Sequence, residues 1–298
     1  MIERIKVLLY IIRECFVNIV GYKMKIRRLF KRSRINNVAG NIDTDIKDKG
    51  FKHYKLVQKI ISDLSLNPKK NRFVEMGPGG TLLNGFTTVL NGWSEYIAVD
   101  VFPSQVWSGY PMTLYDKYVE IVEPEKKEAL KELIRNSQSF NGSVKYFGTH
   151  GLFNNDFKKL VKPLSVDLIY SWGVLEHVVK PKSVFQENYN MLDKNGVVIH
   201  VVDTHPHTWS RFNNPLWFLT IPDWLWNIMY GGRGFMNRFQ PQNYIDWAKD
   251  SGFSVEVYDV EVDNYDINSI RNRLLNRFRG VSDKELLTHR VYLVLTKK

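Results

Sequence analysis

The chain has 298 residues, 44% of them hydrophobic and 13% aromatic, enough for one packed α/β domain of about 200 to 250 residues with extensions, and this excludes a disordered polymer. A single cysteine, Cys15, excludes an intramolecular disulfide and a cysteine-based metal cluster, and points to a reducing, cytoplasmic setting. The net charge of +11 is uneven: residues 1 to 34 carry ten lysines and arginines against Glu3 and Glu14, a net of +8, leaving only +3 for the rest.

That basic arm comes first along the chain. Ile5 to Val20 is rich in apolar residues but is interrupted by Arg13 and Glu14, so it falls short of the roughly 20 apolar residues that a bilayer span requires. It also lacks the small-residue cleavage site of a signal peptide. Two readings stand for residues 1–34: a helix lying on an anionic membrane surface with seven basic residues behind it, or a helix docked on the domain with a solvated basic linker. Asn36 to Lys49 reads as linker, dividing the chain into an arm over 1–50 and a domain over 51–298.

The domain opens with a helix over His53 to Leu64. A strand from Arg72 to Met76 then carries Glu75 into the turn Gly77, Pro78, Gly79, Gly80, where no side-chain bulk obstructs a ligand's approach to the backbone. A second strand from Tyr96 ends in Asp100, about 20 residues past the glycines, where a doubly wound fold places the acid that grips a ribose. The glycine spacing is not that of a dinucleotide fingerprint, since Leu82 stands where the third glycine belongs, and the Gly-Lys-Ser/Thr of a P-loop is missing.

Further along, the charged stretch Leu114 to Arg135 reads as one long helix or two short ones before a strand at Val144 to Phe147. Val166 to Ser171 is the fourth strand and leads into Trp172, Gly173, Val174, Leu175, Glu176, His177. A helix from Pro181 to Leu192, a turn Asp193 to Gly196 and a strand Val197 to Val202 complete a βαβ repeat. Residues 204–240, crowded with aromatics, prolines and glycines, read as a lid over the strand ends. A helix Asn243 to Ser251 and strands Phe253 to Tyr258 and Arg290 to Leu295 then close the sheet as a hairpin. The fold class is α/β, with a doubly wound, mostly parallel seven-stranded sheet, an N-terminal helical arm and an aromatic lid after the fifth strand.

An acid two residues before Gly-x-Gly, with Asp100 at the end of the second strand, resembles motif I and its partner in class I S-adenosylmethionine (SAM)-dependent methyltransferases. VDLIYSWGVLEHV is similar to that family's fourth strand and the segment after it, where the Leu-Glu-His triplet opens the next helix beside the methyl group. IHVVDTHPHTW, the aromatic lid and the pair Asn237 and Arg238 resemble a bacterial group associated with surface-glycan biosynthesis. The likeness spans about residues 51 to 258. It implies SAM as cofactor, bound by Glu75, Gly77, Gly79, Asp100 and Ser171. The family's adenine-binding acid is missing after the third strand, so the Thr149 hydroxyl or a backbone amide is expected to serve.

Deprotonating a sugar or alcohol hydroxyl calls for a neutral imidazole or a metal-bound alkoxide. His177, His200, Asp203 and His207 are the catalytic candidates. Glu176 and His177 are a weaker divalent-metal candidate, because the metal-dependent quinone and RNA 2′-O-methyltransferases have a further glutamate where this chain has Gly173. Arg233 and Arg238 are placed to hold a phosphate or carboxylate of the acceptor. The expected activity is O-methylation of a sugar or lipid-linked glycan precursor; a quinone or lipid methyltransferase, an RNA methyltransferase and a non-catalytic SAM-binding scaffold are the rivals. Nucleic acid is disfavoured as a partner because the positive charge is confined to the arm.

Overall fold

Short runs of β-branched and aromatic residues form β1 (Arg72–Met76), β2 (Glu95–Val99), β3 (Val144–Phe147), β4 (Val166–Trp172) and β5 (Leu192–Asp203), followed by β6 (Phe253–Val262) and β7 (Thr288–Lys297). The computed structural model describes residues 2–19, 51–79, 81–101, 112–136, 142–232 and 234–298. The expected linker, the basic residues 23 to 34, Gly80 and Arg233 lie outside the described residues.

The strands make one seven-stranded sheet in the order β3-β2-β1-β4-β5-β7-β6. β1 to β5 pair in parallel and β7 runs antiparallel between β5 and β6. This is the doubly wound architecture expected from the sequence. Strand β4 is buried along its length save Trp172, as a parallel strand covered on both faces must be.

One face is covered by α2 (His53–Asp63), α3 (Leu83–Leu90), α4 (Met112–Ile121) and α5 (Lys127–Asn136), packed around Phe73, Tyr96 and Tyr170. The other is covered by α6 (Asn155–Leu160), α7 (Pro181–Met191) and α9 (Pro241–Asp250), around Val74, Ile169 and Val198. The chain order reverses between β1 and β4, so the loops leaving their carboxyl ends diverge, and ligands of open α/β sheets bind in that crevice.

Local details refine the expected elements. The charged stretch takes the second of its two expected forms, two helices α4 and α5 separated by a 3-10 turn that begins at Pro124. Asp193 to Gly196 does not interrupt the fifth strand; it is absorbed as a register shift between the Val166 and Leu168 pairings. Leu175–His177 is a 3-10 turn of its own and does not open the next helix as the resemblance implies; that helix begins at Pro181, as expected, and the proline ring suits the first helical turn. β6 and β7 pair antiparallel and close the sheet as the expected hairpin, joined by the long segment 263–287.

That intervening segment packs against residues 204–240, the stretch expected to form a lid. Residues 204–240 fold as 3-10 turns His207–Arg211 and Pro215–Thr220 and helix α8 (Asp223–Tyr230). Their aromatics Trp209, Phe218 and Trp226 share a core with Ile267, Leu274 and Phe278 from the later segment. Val7 and Tyr10 of α1 (Ile2–Asn18) join the same core. Tyr10 Oη lies 2.7 Å from Thr208 Oγ1, and Asn18 Nδ2 donates to the Ile228 carbonyl at 2.8 Å. The helix of the arm is therefore docked on the lid.

Candidate active site

Gly77 and Gly79 adopt φ of +65° and +73°, backbone geometry that glycine reaches without a steric penalty. Their surroundings differ. A Cβ on Gly77 would overlap Val174 Cγ2 from the loop after β4, whereas a Cβ on Gly79 would project into open space. Gly77 thus lets two loops close on each other, and Gly79 keeps the crevice clear. The Gly77 amide donates to the Val99 carbonyl at 2.8 Å, tying the turn to β2. The close helix-to-strand approach that a third fingerprint glycine would permit is supplied by Gly85, where a Cβ would overlap the Tyr96 ring.

Glu75 lies beneath the turn. Its buried carboxylate accepts from Asn84 Nδ2 at 2.7 Å and from the Tyr96 hydroxyl. Burial pushes its pKa up to about 7. It braces the turn from the core side.

Asp100 follows β2 directly, its amide donating to Phe147 at 3.0 Å and its carbonyl accepting from Gly151 at 3.1 Å. Beside it, Thr149, His150 and Gly151 have φ of +64°, +65° and +53°, a run in which two residues carry a Cβ. Such strain collects at ligand-binding turns. The Thr149 hydroxyl, an expected adenine partner, donates to the Gly148 carbonyl at 2.6 Å.

The structure separates Ser171 and His200 from the crevice. Both are fully buried; His200 Nδ1 lies 2.7 Å from Ser171 Oγ, and His200 Nε2 lies 2.9 Å from Asn188 Nδ2. An amide nitrogen can only donate, so Nε2 accepts and Nδ1–H donates to the serine. Burial drives the His200 pKa down to about 3. The expectation that His200 is a base and Ser171 a cofactor ligand is corrected: they form a neutral bridge between β4, β5 and α7.

The remaining catalytic candidates do converge. His177 Nε2 is 3.4 Å from His207 Nε2 and 3.9 Å from Glu176 Oε1. His207 is oriented by its Nδ1, which donates to the His205 carbonyl at 2.5 Å and leaves Nε2 with its lone pair. Burial, with Asp203 adding repulsion, pushes the Glu176 carboxyl up to about 8, and burial beside His207 holds His177 below the ordinary histidine value. Oε2 of Glu176 is buried without a partner among the described residues. Asp203 stands at the end of β5, accepting from the His205 amide at 2.9 Å and from Arg290 Nη2 at 3.2 Å. Its carboxylate is thus shared with the β7 cation.

Asn237, singled out in the sequence as half of the Asn-Arg pair but given no role there, is a positioning residue. Its side-chain amide donates to the Leu175 and Val178 carbonyls at 2.9 and 3.1 Å, its backbone amide donates to the Glu176 carbonyl, and its Oδ1 accepts from the Tyr244 hydroxyl. The lid therefore fixes the Glu-His turn. Arg238 is corrected: it is buried, donates to the Phe218 and Ile221 carbonyls and to Asp223, and stacks over Trp226. It secures the lid and has little left for an acceptor. Trp172, at the end of β4, stacks on His53 at 5.0 Å with Arg290 over its ring.

A cavity of about 690 Å³ opens between the Glu-His turn and the lid, lined by His177, Val179, Trp226, Tyr230, Phe235 and Phe239 among others. Aromatic walls with one imidazole at the edge suit a ligand with apolar faces.

A family model described as a methyltransferase domain matches residues 51–257. The chain belongs to that family. The methyltransferase uses SAM, as the family implies. Solved structures similar to it include the Haloferax volcanii complex of the Trm112 methyltransferase activator with a methyltransferase, at 14% identity over 85% of this chain and 92% of the other, TM-score 0.44. A SAM-dependent methyltransferase from Mesorhizobium loti is 12% identical over 80% and 95%, TM-score 0.44; one from Clostridium acetobutylicum is 13% identical over 86% and 98%, TM-score 0.43. No curated protein matches the methyltransferase.

Proposed function

We propose that the methyltransferase transfers the SAM methyl group to a hydroxyl of a sugar or lipid-linked glycan precursor seated under the lid. The observation that supports this most is the aromatic cavity that ends at His177, with Glu176 and His207 beside it. SAM, when bound, supplies an electrophilic sulfonium methyl. The crevice fits such a ligand: Gly79 faces open space, Gly77 lets the loops close, and Asp100 stands at the neighbouring strand end to accept the ribose hydroxyls.

Methyl transfer is an in-line displacement whose rate comes mainly from holding the reacting atoms about 3 Å apart and aligned. The aromatic rings of the lid stack against the apolar face of the acceptor and exclude water. His177, held by the Asn237 clamp, takes the hydroxyl proton, and His207 shares it across the 3.4 Å contact. Incubation with SAM and a panel of nucleotide sugars and polyprenyl-linked sugars, read by mass spectrometry, tests this. A mass gain of one methyl on a glycan, lost in His177→Ala, is expected; methylation of RNA or of a quinone alone would contradict it.

A second reading uses the same residues. Glu176, His177 and His207 each offer a ligand atom within 4.8 Å of the others, so the weaker metal candidate acquires a third donor. A two-imidazole, one-carboxylate set suits a divalent first-row ion. Activity that survives dialysis against a chelator excludes it.

A further inference from the structure

The side of α1 that faces away from the lid has no counterpart in the methyl-transfer chemistry. Val7, Tyr10, Glu14 and Asn18 face inward. Ile5, Leu8, Leu9, Ile12 and Phe16 recur at three- and four-residue spacing on the opposite side and are between 52% and 66% exposed. A helix merely packed on a domain would present polar residues there. The lid extends the apolar surface: Trp224 and Ile228, one turn apart on α8, are 64% and 39% exposed, and Asn227 and Tyr230 of that helix line the acceptor cavity.

The distribution of charge indicates what covers this face. Arg4, Lys6 and Arg13 are exposed on α1 itself, and the chain continues into Lys23, Lys25, Arg27, Arg28, Lys31, Arg32 and Arg34 without an intervening acid after Glu14. No helix of the described residues is long and apolar enough to cross a membrane. An apolar stripe too short to span, bordered by cations, matches a helix lying in the interface of an anionic bilayer.

We infer that the outer face of α1, with Trp224 and Ile228 of α8, is the surface by which the methyltransferase lies on an anionic membrane. Because α1 is fixed to the lid, contact also sets the orientation of the cavity. Its acceptor is then an amphiphile carried by the bilayer, a part of the inference that rests on the proposed lid pocket; the membrane contact itself does not.

Sedimentation of the full chain with vesicles tests the contact. One set contains phosphatidylglycerol and phosphatidylcholine, the other phosphatidylcholine alone, each at low and at high salt. The inference expects pelleting with the anionic set at low salt, reduced by about tenfold or more when Leu8, Ile12 and Phe16 are all changed to Glu. A second variant, Trp224→Ser with Ile228→Ser, guards against misfolding of α1 and is expected to weaken pelleting as well. Thermal melting and S-adenosylhomocysteine affinity of both variants should match the parent. Protein that stays in the supernatant overturns the inference, as does pelleting indifferent to both variants, which would assign it to the basic segment alone. A parent that is dimeric in free solution and a triple variant that is monomeric would show a second copy on this face. A large drop in melting temperature without vesicle binding would show the face covered by the chain itself. If vesicles bind but only water-soluble acceptors are methylated, the contact stands and the membrane-borne acceptor fails.

Discussion

The proposed cofactor side and the lid side of this methyltransferase are built on different principles. On the proposed cofactor side, residues close in sequence come together: a strand end, a two-glycine turn and an acid on the next strand, all fixed to sheet backbone. On the lid side, contributors come from α1, 204–240 and 263–287, and their shared aromatic core exists only after these distant segments meet. The cofactor side depends on backbone conformation and the lid side on side-chain packing, and substitutions should separate them.

The largest effect is expected at Gly77. Gly77→Val imposes a left-handed backbone on a β-branched residue and an overlap with Val174, together about 4 kcal/mol of stability, with loss of cofactor binding. Chemical denaturation measures it. Gly79→Ala meets no atoms and should cost only about 1 to 2 kcal/mol from its φ. Equal losses at the two glycines would contradict the division of labour between them.

Next is the pH dependence set by Glu75. Its folded pKa of about 7 lies above the ordinary carboxyl value of 4.5, so the folded state retains a proton that the unfolded chain releases. The resulting stability is fully present below pH 4.5 and is lost as pH rises through 7, about 3 kcal/mol in all. Glu75→Gln should flatten denaturation midpoints across that window; parallel profiles for parent and variant would refute the buried carboxyl. His200 acts in the opposite sense. Held neutral down to about pH 3, it withdraws stability as pH falls below 6.5.

A smaller effect belongs to the lid. Asn237→Ala removes the side-chain bonds to Leu175 and Val178 and should cost about 1 to 3 kcal/mol. Faster amide hydrogen exchange over 175–178 should accompany a raised acceptor KM, with S-adenosylhomocysteine affinity unchanged.

How much of this the sequence disclosed follows the same division. The sheet, the places of Gly77, Gly79 and Asp100 at the ends of β1 and β2, and the meeting of His177 with His207 were legible, because strand alternation, turn glycines and the segments after strand ends are local signals. His200 was misplaced because a β-branched run reveals a strand but not which face of it a buried polar side chain bonds to; Asn188, its partner, lies on a helix whose packing is tertiary. Arg238 was misjudged for the same reason, since its carbonyl partners are set by the fold of the lid. The role of 263–287 was invisible, because its apolar residues complete a core whose other half lies far away in the chain.

Calorimetric titration of the parent and Asp100→Ala with S-adenosylhomocysteine tests the central assignment most directly. Micromolar binding by the parent, weakened by about 1.5 to 3 kcal/mol in the variant as loss of hydrogen bonds to a charged group implies, is the predicted result. Equal affinities, or no binding by the parent, would contradict the placement of the cofactor at the ends of β1 and β2.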